Sequence, residues 1–165
     1  TKLEANNMKL EKSKFNLISI INNVFEMLEI QANKKNISLI IDSKLKRVNV
    51  NADQEKIHQV LTNLIENSVK YGKQDGTTEI SIEDLIEDKL IIRITDNGKG
   101  IKKEHFERLF ERFYRVENSG NRSTGGSGLG LAIVKHIIDA HNEKIYVESD
   151  FGVGSEFSFS LQKSN

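Results

Sequence analysis

The sequence predicts an α+β sandwich, with three helices packed on a mixed, mostly antiparallel sheet of about five strands plus a short hairpin. Two observations predict it. Three segments carry apolar residues at helical period, and the β-branched or alternating segments come largely in adjacent pairs, as hairpins do. A parallel fold would instead alternate single strands with helices.

In chain order, TKLEANNMKLEKSKF reads as the tail of a charged helix or a linker. Residues 17–33 place Leu17, Ile20, Ile21, Val24, Phe25, Leu28 and Ile30 close to helical spacing. NISLIID and RVNVN look like two short strands around SKLK. Asp53 stands where an N-cap belongs, and Ile57, Val60, Leu61, Leu64, Ile65 and Ser68 then step by three and four. TEISIE (78–83) and KLIIRIT (89–95) read as two strands joined through the acidic turn DLIED. DNGKG (96–100) must be a loop, because two glycines two apart break either regular structure. A short aromatic helix is expected around HFERLFERFYR, and the glycine- and serine-rich VENSGNRSTGGSG (116–128) after it has the composition of a mobile loop. The third helix runs from Leu129 to His141, with Asn142 as a left-handed terminator. IYVES and EFSFSLQ close the chain as two strands around FGVGS.

A chain of 165 residues is most simply one domain, able to bury a core without staples. It has no cysteine, which excludes disulfides and thiolate metal sites. Lys+Arg and Asp+Glu balance at 24 each, so no net field drives it onto nucleic acid or anionic lipid. No apolar run approaches the roughly 20 residues needed to span a bilayer.

The stretch GGSGLGLAIVKH (125–136) crowds glycines against a helix start. Bare backbone N–H groups at the positive end of a helix suit an anion. A dinucleotide fold would put its glycines directly after a strand, and a Walker loop needs G-K-[ST]; neither is present. Asp150-Phe151-Gly152 spells the DFG of eukaryotic-type protein kinases, without the strand lysine or HRD loop that should accompany it.

Four segments in order carry a stronger signal: DQEKIHQVLTNLIENSVKYG, DNGKGI, LFERFYR and GGSGLGLAIVKH. Together they resemble the catalytic ATP-binding domain of bacterial sensor histidine kinases, within the GHKL (Bergerat-fold) ATPases. The resemblance covers residues 12–162. It implies that residues 1–14 are the end of a dimerisation helix and its linker, that 15–162 are the ATP-binding domain, and that about 101–127 form a mobile ATP lid.

Asn63, Asn67 and Lys70 share one helix face beside the apolar one, since side chains at i, i+4 and i+7 align. An amide oxygen is a hard, neutral ligand suited to Mg²⁺ that already carries phosphate oxygens. The resemblance implies that Asn67 binds the metal, that Asn63 stands where related hydrolases carry a base, that Lys70 meets phosphate and that Tyr71 lines the nucleotide. Asp96 ends a strand. An ionised carboxylate accepts from the adenine amine and has nothing to donate to the carbonyl of guanine, and the resemblance puts it on that amine. Gly98 and Gly100 then let the backbone pass close to the base, with Ile101 beside them. Gly126, Gly128, Leu129, Gly130 and Leu131 hold the triphosphate and hinge the lid on the same grounds. Phe110, with Phe113 and Tyr114, packs under the lid; Arg112 and Arg115 are candidates for phosphate or partner contacts. Ser155, in GVGSEF, stands where the family more often has threonine.

None of the four histidines, His58, His105, His136 and His141, lies in the family's acceptor context. The resemblance therefore implies a domain that binds Mg²⁺–ATP and donates its γ-phosphoryl to a histidine on a dimerisation domain outside this chain. It implies a monomeric cytoplasmic module of an inner-membrane-anchored sensor kinase, with a response regulator as onward partner and no nucleic-acid or membrane contact of its own. Two rivals stay open: an ATP-governed binding switch without useful transfer, and a gyrase-like hydrolase. The second is disfavoured because the amide of Asn63 replaces a glutamate and cannot act as a general base.

Overall fold

Asn16 ends the first strand and caps the first helix: its side-chain oxygen accepts from the N–H of Ile18 at 3.2 Å and of Val48 at 2.9 Å. The computed structural model describes residues 8–116 and 130–165. Among the described residues seven strands make one sheet: β1 (Lys12–Asn16), β2 (Ser38–Asp42), β3 (Asn49–Asp53), β4 (Thr77–Asp84), β5 (Lys89–Asp96), β6 (Ile145–Asp150) and β7 (Gly154–Lys163). The helices are α1 (Leu17–Lys34), α2 (Gln54–Lys70) and α3 (Gly130–Ala140), with a 3₁₀ segment at Lys103–Arg108.

The sheet order is β1-β3-β7-β5-β4-β2, and β6 also pairs with β7. All pairings are antiparallel except β2 with β4. The β4–β5 hairpin forms as expected. β2 and β3, adjacent in sequence, lie far apart in the sheet, with β7, β5 and β4 between them. β1 overlaps residues 12–14, which the sequence reading gave to a linker; Lys12, Ser13 and Lys14 are exposed, so only Phe15 signals the strand's buried side.

Alternation divides the sheet into two faces. Ile80, Ile92, Ile94, Phe157, Phe159 and Leu161 are buried toward the helices. The opposite face carries Glu83 paired with Arg93 at 2.7 Å, and Thr95 donating to Glu156 at 2.9 Å. In α1, Leu17, Ile21, Val24, Leu28 and Ala32 form the buried stripe. Ile30, expected with them, points to solvent at 73% exposure, because two residues past Leu28 is more than half a turn around the helix. α2 packs between α1 and α3 and against β5. The expected aromatic helix is shorter than its letters suggest: only Lys103–Arg108 is helical, and Phe113 takes a φ of 65°. Asn142 does adopt the left-handed conformation, φ 58°. No helix of the described residues is long and apolar enough to cross a membrane.

Candidate functional site

The first wall of the site is the C-terminal half of α2. Asp53 Oδ1 accepts from Lys56 N at 3.2 Å and starts the helix. Ile57, Leu61, Leu64 and Ile65 are then fully buried, each worth about 1.5–3 kcal/mol, which fixes the helix rotation. That rotation turns Asn63, Asn67 and Lys70 to one open cavity, joined by Tyr71 at the helix end. Asn63 also donates to the Gly130 carbonyl at 3.3 Å, tying α2 to the start of α3.

The floor is a row across three strands, Thr78, Asp96 and Ser155, in register. Asp96 Oδ1 accepts from the backbone N–H of Gly98 at 2.9 Å and of Ser155 at 3.3 Å. Ser68 of α2 donates to the same carboxylate, and its hydroxyl lies 2.8 Å from that of Thr78. Burial pushes the Asp96 carboxyl above its ordinary value, and the hydrogen bonds from Gly98, Ser155 and Ser68 offset only part of that. No motif in the sequence marks this hydroxyl relay. Ser68 sat in the apolar series of α2, where a lone serine on a core-facing stripe was the available signal.

The rim is the loop after β5. A Cβ on Gly98 would lie 2.3 Å from the Tyr71 carbonyl oxygen, and one on Gly100, whose φ is 73°, would lie 2.2 Å from that of Asp150. The close approach that these glycines allow is therefore to the protein's own backbone. Ile101 N donates to Ser149 Oγ at 2.7 Å, and Ser149 Oγ lies 2.8 Å from Ser155 Oγ, so rim and floor share one polar chain. Lys99 stands 5.3 Å from the Tyr71 ring centroid and Lys102 4.9 Å from that of Phe151.

These elements enclose about 1050 Å³, at the upper end of the roughly 300–1,000 Å³ usual for small-molecule sites. Asn63, Asn67, Lys70, Tyr71, Asp96, Gly100, Ile101, Arg115, Gly130, Leu131 and Ser155 all line it. Gly98 backs it without lining it. Phe110 does not line it either: it packs edge-on against Phe157, ring centroids 6.3 Å apart, on the side of a second hollow near Arg112 and Phe113. Gly126, Gly128 and Leu129 lie outside the described residues, as does residue 117–127 of the expected lid. Lining residues that the sequence reading passed over include Lys99, Lys102, Arg108 and Phe151. With Lys70 and Arg115 the three basic ones make the cavity rich in cations, as a polyanion requires.

Residues 52–165 match the family described as histidine kinase-, DNA gyrase B-, and HSP90-like ATPase. The chain belongs to this family. Membership of an ATPase family makes ATP the nucleotide the chain binds, and the lining suits it: the buried Asp96 carboxylate, amides and several cations open on one cavity. The sensor histidine kinase WalK of Bacillus subtilis (strain 168) is 38% identical over 145 residues, covering 87% of this chain and 23% of WalK. The nucleotide-free catalytic domain of the histidine kinase ThkA superposes with a TM-score of 0.80 at 31% identity, over 93% of this chain and 97% of that one. ThkA solved in complex with the response regulator protein TrrA gives a TM-score of 0.77 at 30% identity, over 94% of this chain and 42% of that one. The chain thus spans about a quarter of WalK and most of a histidine kinase catalytic domain.

Proposed function

We propose that this ATPase-family chain is the ATP-binding catalytic domain of a sensor histidine kinase, presenting the γ-phosphoryl of Mg²⁺–ATP to a histidine on a dimerisation domain. The observation that carries this reading is convergence: Asn67 and Lys70 of α2 and Asp96 at the end of β5 open on one cavity. Asp96 accepts from the adenine amine, and Tyr71 lines the nucleotide. Lys70, with Arg115, meets the phosphates. Asn67 would hold Mg²⁺, which when bound neutralises phosphate charge, and Asn63 stands where related hydrolases carry a base. Gly126, Gly128, Leu129, Gly130 and Leu131 complete the triphosphate end. Phosphoryl transfer asks mainly for positioning and charge neutralisation, so one nucleotide module can supply everything but the acceptor.

Among the described residues His141 is buried and hydrogen-bonded through both ring nitrogens, and His58 is engaged with Asn23 at 2.8 Å; neither is offered for transfer. None of the four histidines, His105 on the cavity included, lies in the family's acceptor context, so we assign the acceptor to a partner domain, with a response regulator as the onward acceptor, as TrrA accompanies ThkA. We place residues 15–162 in the domain, which works as a monomer on the cytoplasmic side of a membrane-anchored kinase. Calorimetric titration with Mg²⁺–ATP and Mg²⁺–GTP tests the nucleotide, with ATP expected to bind and GTP to fail. Labelled ATP with a matching dimerisation domain tests the transfer; absence of labelled phosphohistidine would leave a binding switch.

A further inference from the structure

The turn that leaves α1 reaches across to the end of α2. The Lys35 ammonium donates to the carbonyl oxygens of Val69 at 3.2 Å and Gly72 at 3.3 Å, and to that of Lys70 between them. The backbone joins in: Asp75 N donates to Lys35 O at 2.8 Å, and Asn36, at φ 53°, donates from Nδ2 to Asp75 Oδ1 at 2.8 Å. The three carbonyls belong to the last turn of α2 and the residues just past it, where the helix dipole is negative and intrahelical N–H partners run out.

The other side of the same turn faces the rim. Tyr71 O accepts from Lys99 N at 3.4 Å, and Gly98 lies so close that no Cβ fits between them. Residues 69–72 are thus gripped between Lys35 behind and the 98–99 loop in front. Lys35 itself does not line the cavity, whereas Lys70 and Tyr71 do. Its place is also costly, since burial and the nearby Lys99 both push its ammonium below the ordinary lysine value. A cation kept there against those two effects needs acceptors that hold it, and the three carbonyls are those acceptors.

We propose that Lys35 is a positioning residue for the nucleotide site: by gathering the carbonyls of Val69, Lys70 and Gly72 it sets the last turn of α2, and with it the direction in which Lys70 and Tyr71 enter the cavity. The proposal rests on the reading of that cavity as the ATP site. Lys35 touches no substrate and acts through the two residues it holds.

The test uses the 165-residue chain and three measurements on Lys35→Met, which keeps the aliphatic stem and loses the donors, with exposed Lys34→Met as control. Amide exchange at Tyr71 and Gly72, whose N–H groups bond to Asn67 O and Val69 O, should quicken about tenfold, the scale of a lost charge-assisted hydrogen bond. Mg²⁺–ATP binding, measured well below the melting temperature, should weaken about tenfold, with Lys34→Met unchanged. In a Lys70→Met background the Lys35→Met penalty should shrink, which a merely structural loss would not produce. Unchanged ATP affinity in Lys35→Met, whatever happens to its melting temperature, overturns the proposal. Failure of the unsubstituted chain to bind Mg²⁺–ATP overturns the ATP reading instead, and exchange at Tyr71 and Gly72 then decides the grip alone: no change there ends it. If Lys35→Met does not fold, Lys35→Gln serves in the same three measurements.

Discussion

The backbone N–H of Ser155 on β7 donates to the Asp96 carboxylate on β5 across 3.3 Å, in the same register row that brings Thr78 alongside. Two strands and the helix hydroxyl of Ser68 therefore fix the carboxylate before any ligand arrives. Such a preset acceptor loses little freedom on binding, and under the proposed adenine reading it would select an amine by geometry as well as charge.

Asp96→Asn is expected to weaken ATP binding about tenfold to a hundredfold, as loss of a hydrogen bond to a charged group does. The pH sign follows from burial. The folded-state pKa is raised above the ordinary 3.8, so the protonated form is favoured in the fold, and that stabilising contribution is lost as pH rises through the folded value. At neutral pH the ionised carboxylate therefore costs stability. The ligand-free Asn variant should melt at or above the parent at pH 7, its advantage shrinking as pH falls through the raised pKa. ATP affinity of the parent should fall over the same window. Paired calorimetry of both proteins at pH 7 and pH 4.5 checks the three statements.

Asn67→Ala is expected to spare most nucleotide binding and remove its dependence on Mg²⁺. Asn67 lines the cavity from α2 one turn beyond Asn63, which is bonded to Gly130 O at 3.3 Å. ATP titrations with magnesium and with a chelator should differ for the parent and coincide for the variant. A variant that keeps the parent's magnesium response removes Asn67 as the metal ligand.

Most of this was legible in the letters, for local reasons. Helical period exposed α2, and the spacing of Asn63, Asn67 and Lys70 gave their common face, because both depend only on nearest turns. What stayed hidden depends on partners far along the chain. β1 is mostly exposed and takes its identity from pairing with β3, 33 or more residues away at each aligned position, as Asn16 with Asn49. Nothing in the local sequence marks Lys35, since its acceptors are 34 to 37 residues away. Ser68 was absorbed into a core stripe, because periodicity reports burial and says nothing of which hydroxyl faces a carboxylate. Phe110 carried an aromatic motif's promise, but its ring went to Phe157 and the core edge.

Gly98→Ala is expected to destabilise the chain by about 1–3 kcal/mol, the usual cost of overpacking. The added methyl would meet Tyr71 O at 2.3 Å and Gly72 Cα at 2.9 Å, both backbone atoms that no rotamer can move aside. Either α2's end or the rim loop must shift. Gly130→Ala is the contrast, since a Cβ there meets nothing within 4 Å among the described residues. Urea midpoints should drop for the first and hold for the second.

His141→Gln is expected to flatten part of the chain's acid sensitivity. His141 Nε2 accepts from Asp53 N at 3.1 Å and Nδ1 donates to Ile137 O at 2.8 Å, so the buried ring is satisfied only when neutral. Burial, aided by Lys12, holds its pKa below 6.5, against the pull of the Ile137 carbonyl, Asp53 and Glu143. A histidine whose folded pKa is depressed contributes stability that is present above the unfolded value and lost as pH falls through it toward the folded one. The bond it makes to Asp53, the residue that starts α2, is therefore weakened by acid. Glutamine offers an uncharged acceptor to the same N–H and does not titrate. At pH 7.5 the variant should be about 1–3 kcal/mol less stable by urea unfolding. At pH 5 the gap should narrow, because only the parent loses stability in between through this residue. A gap of constant size at both pH values would mean that the ring's protonation is not coupled to folding.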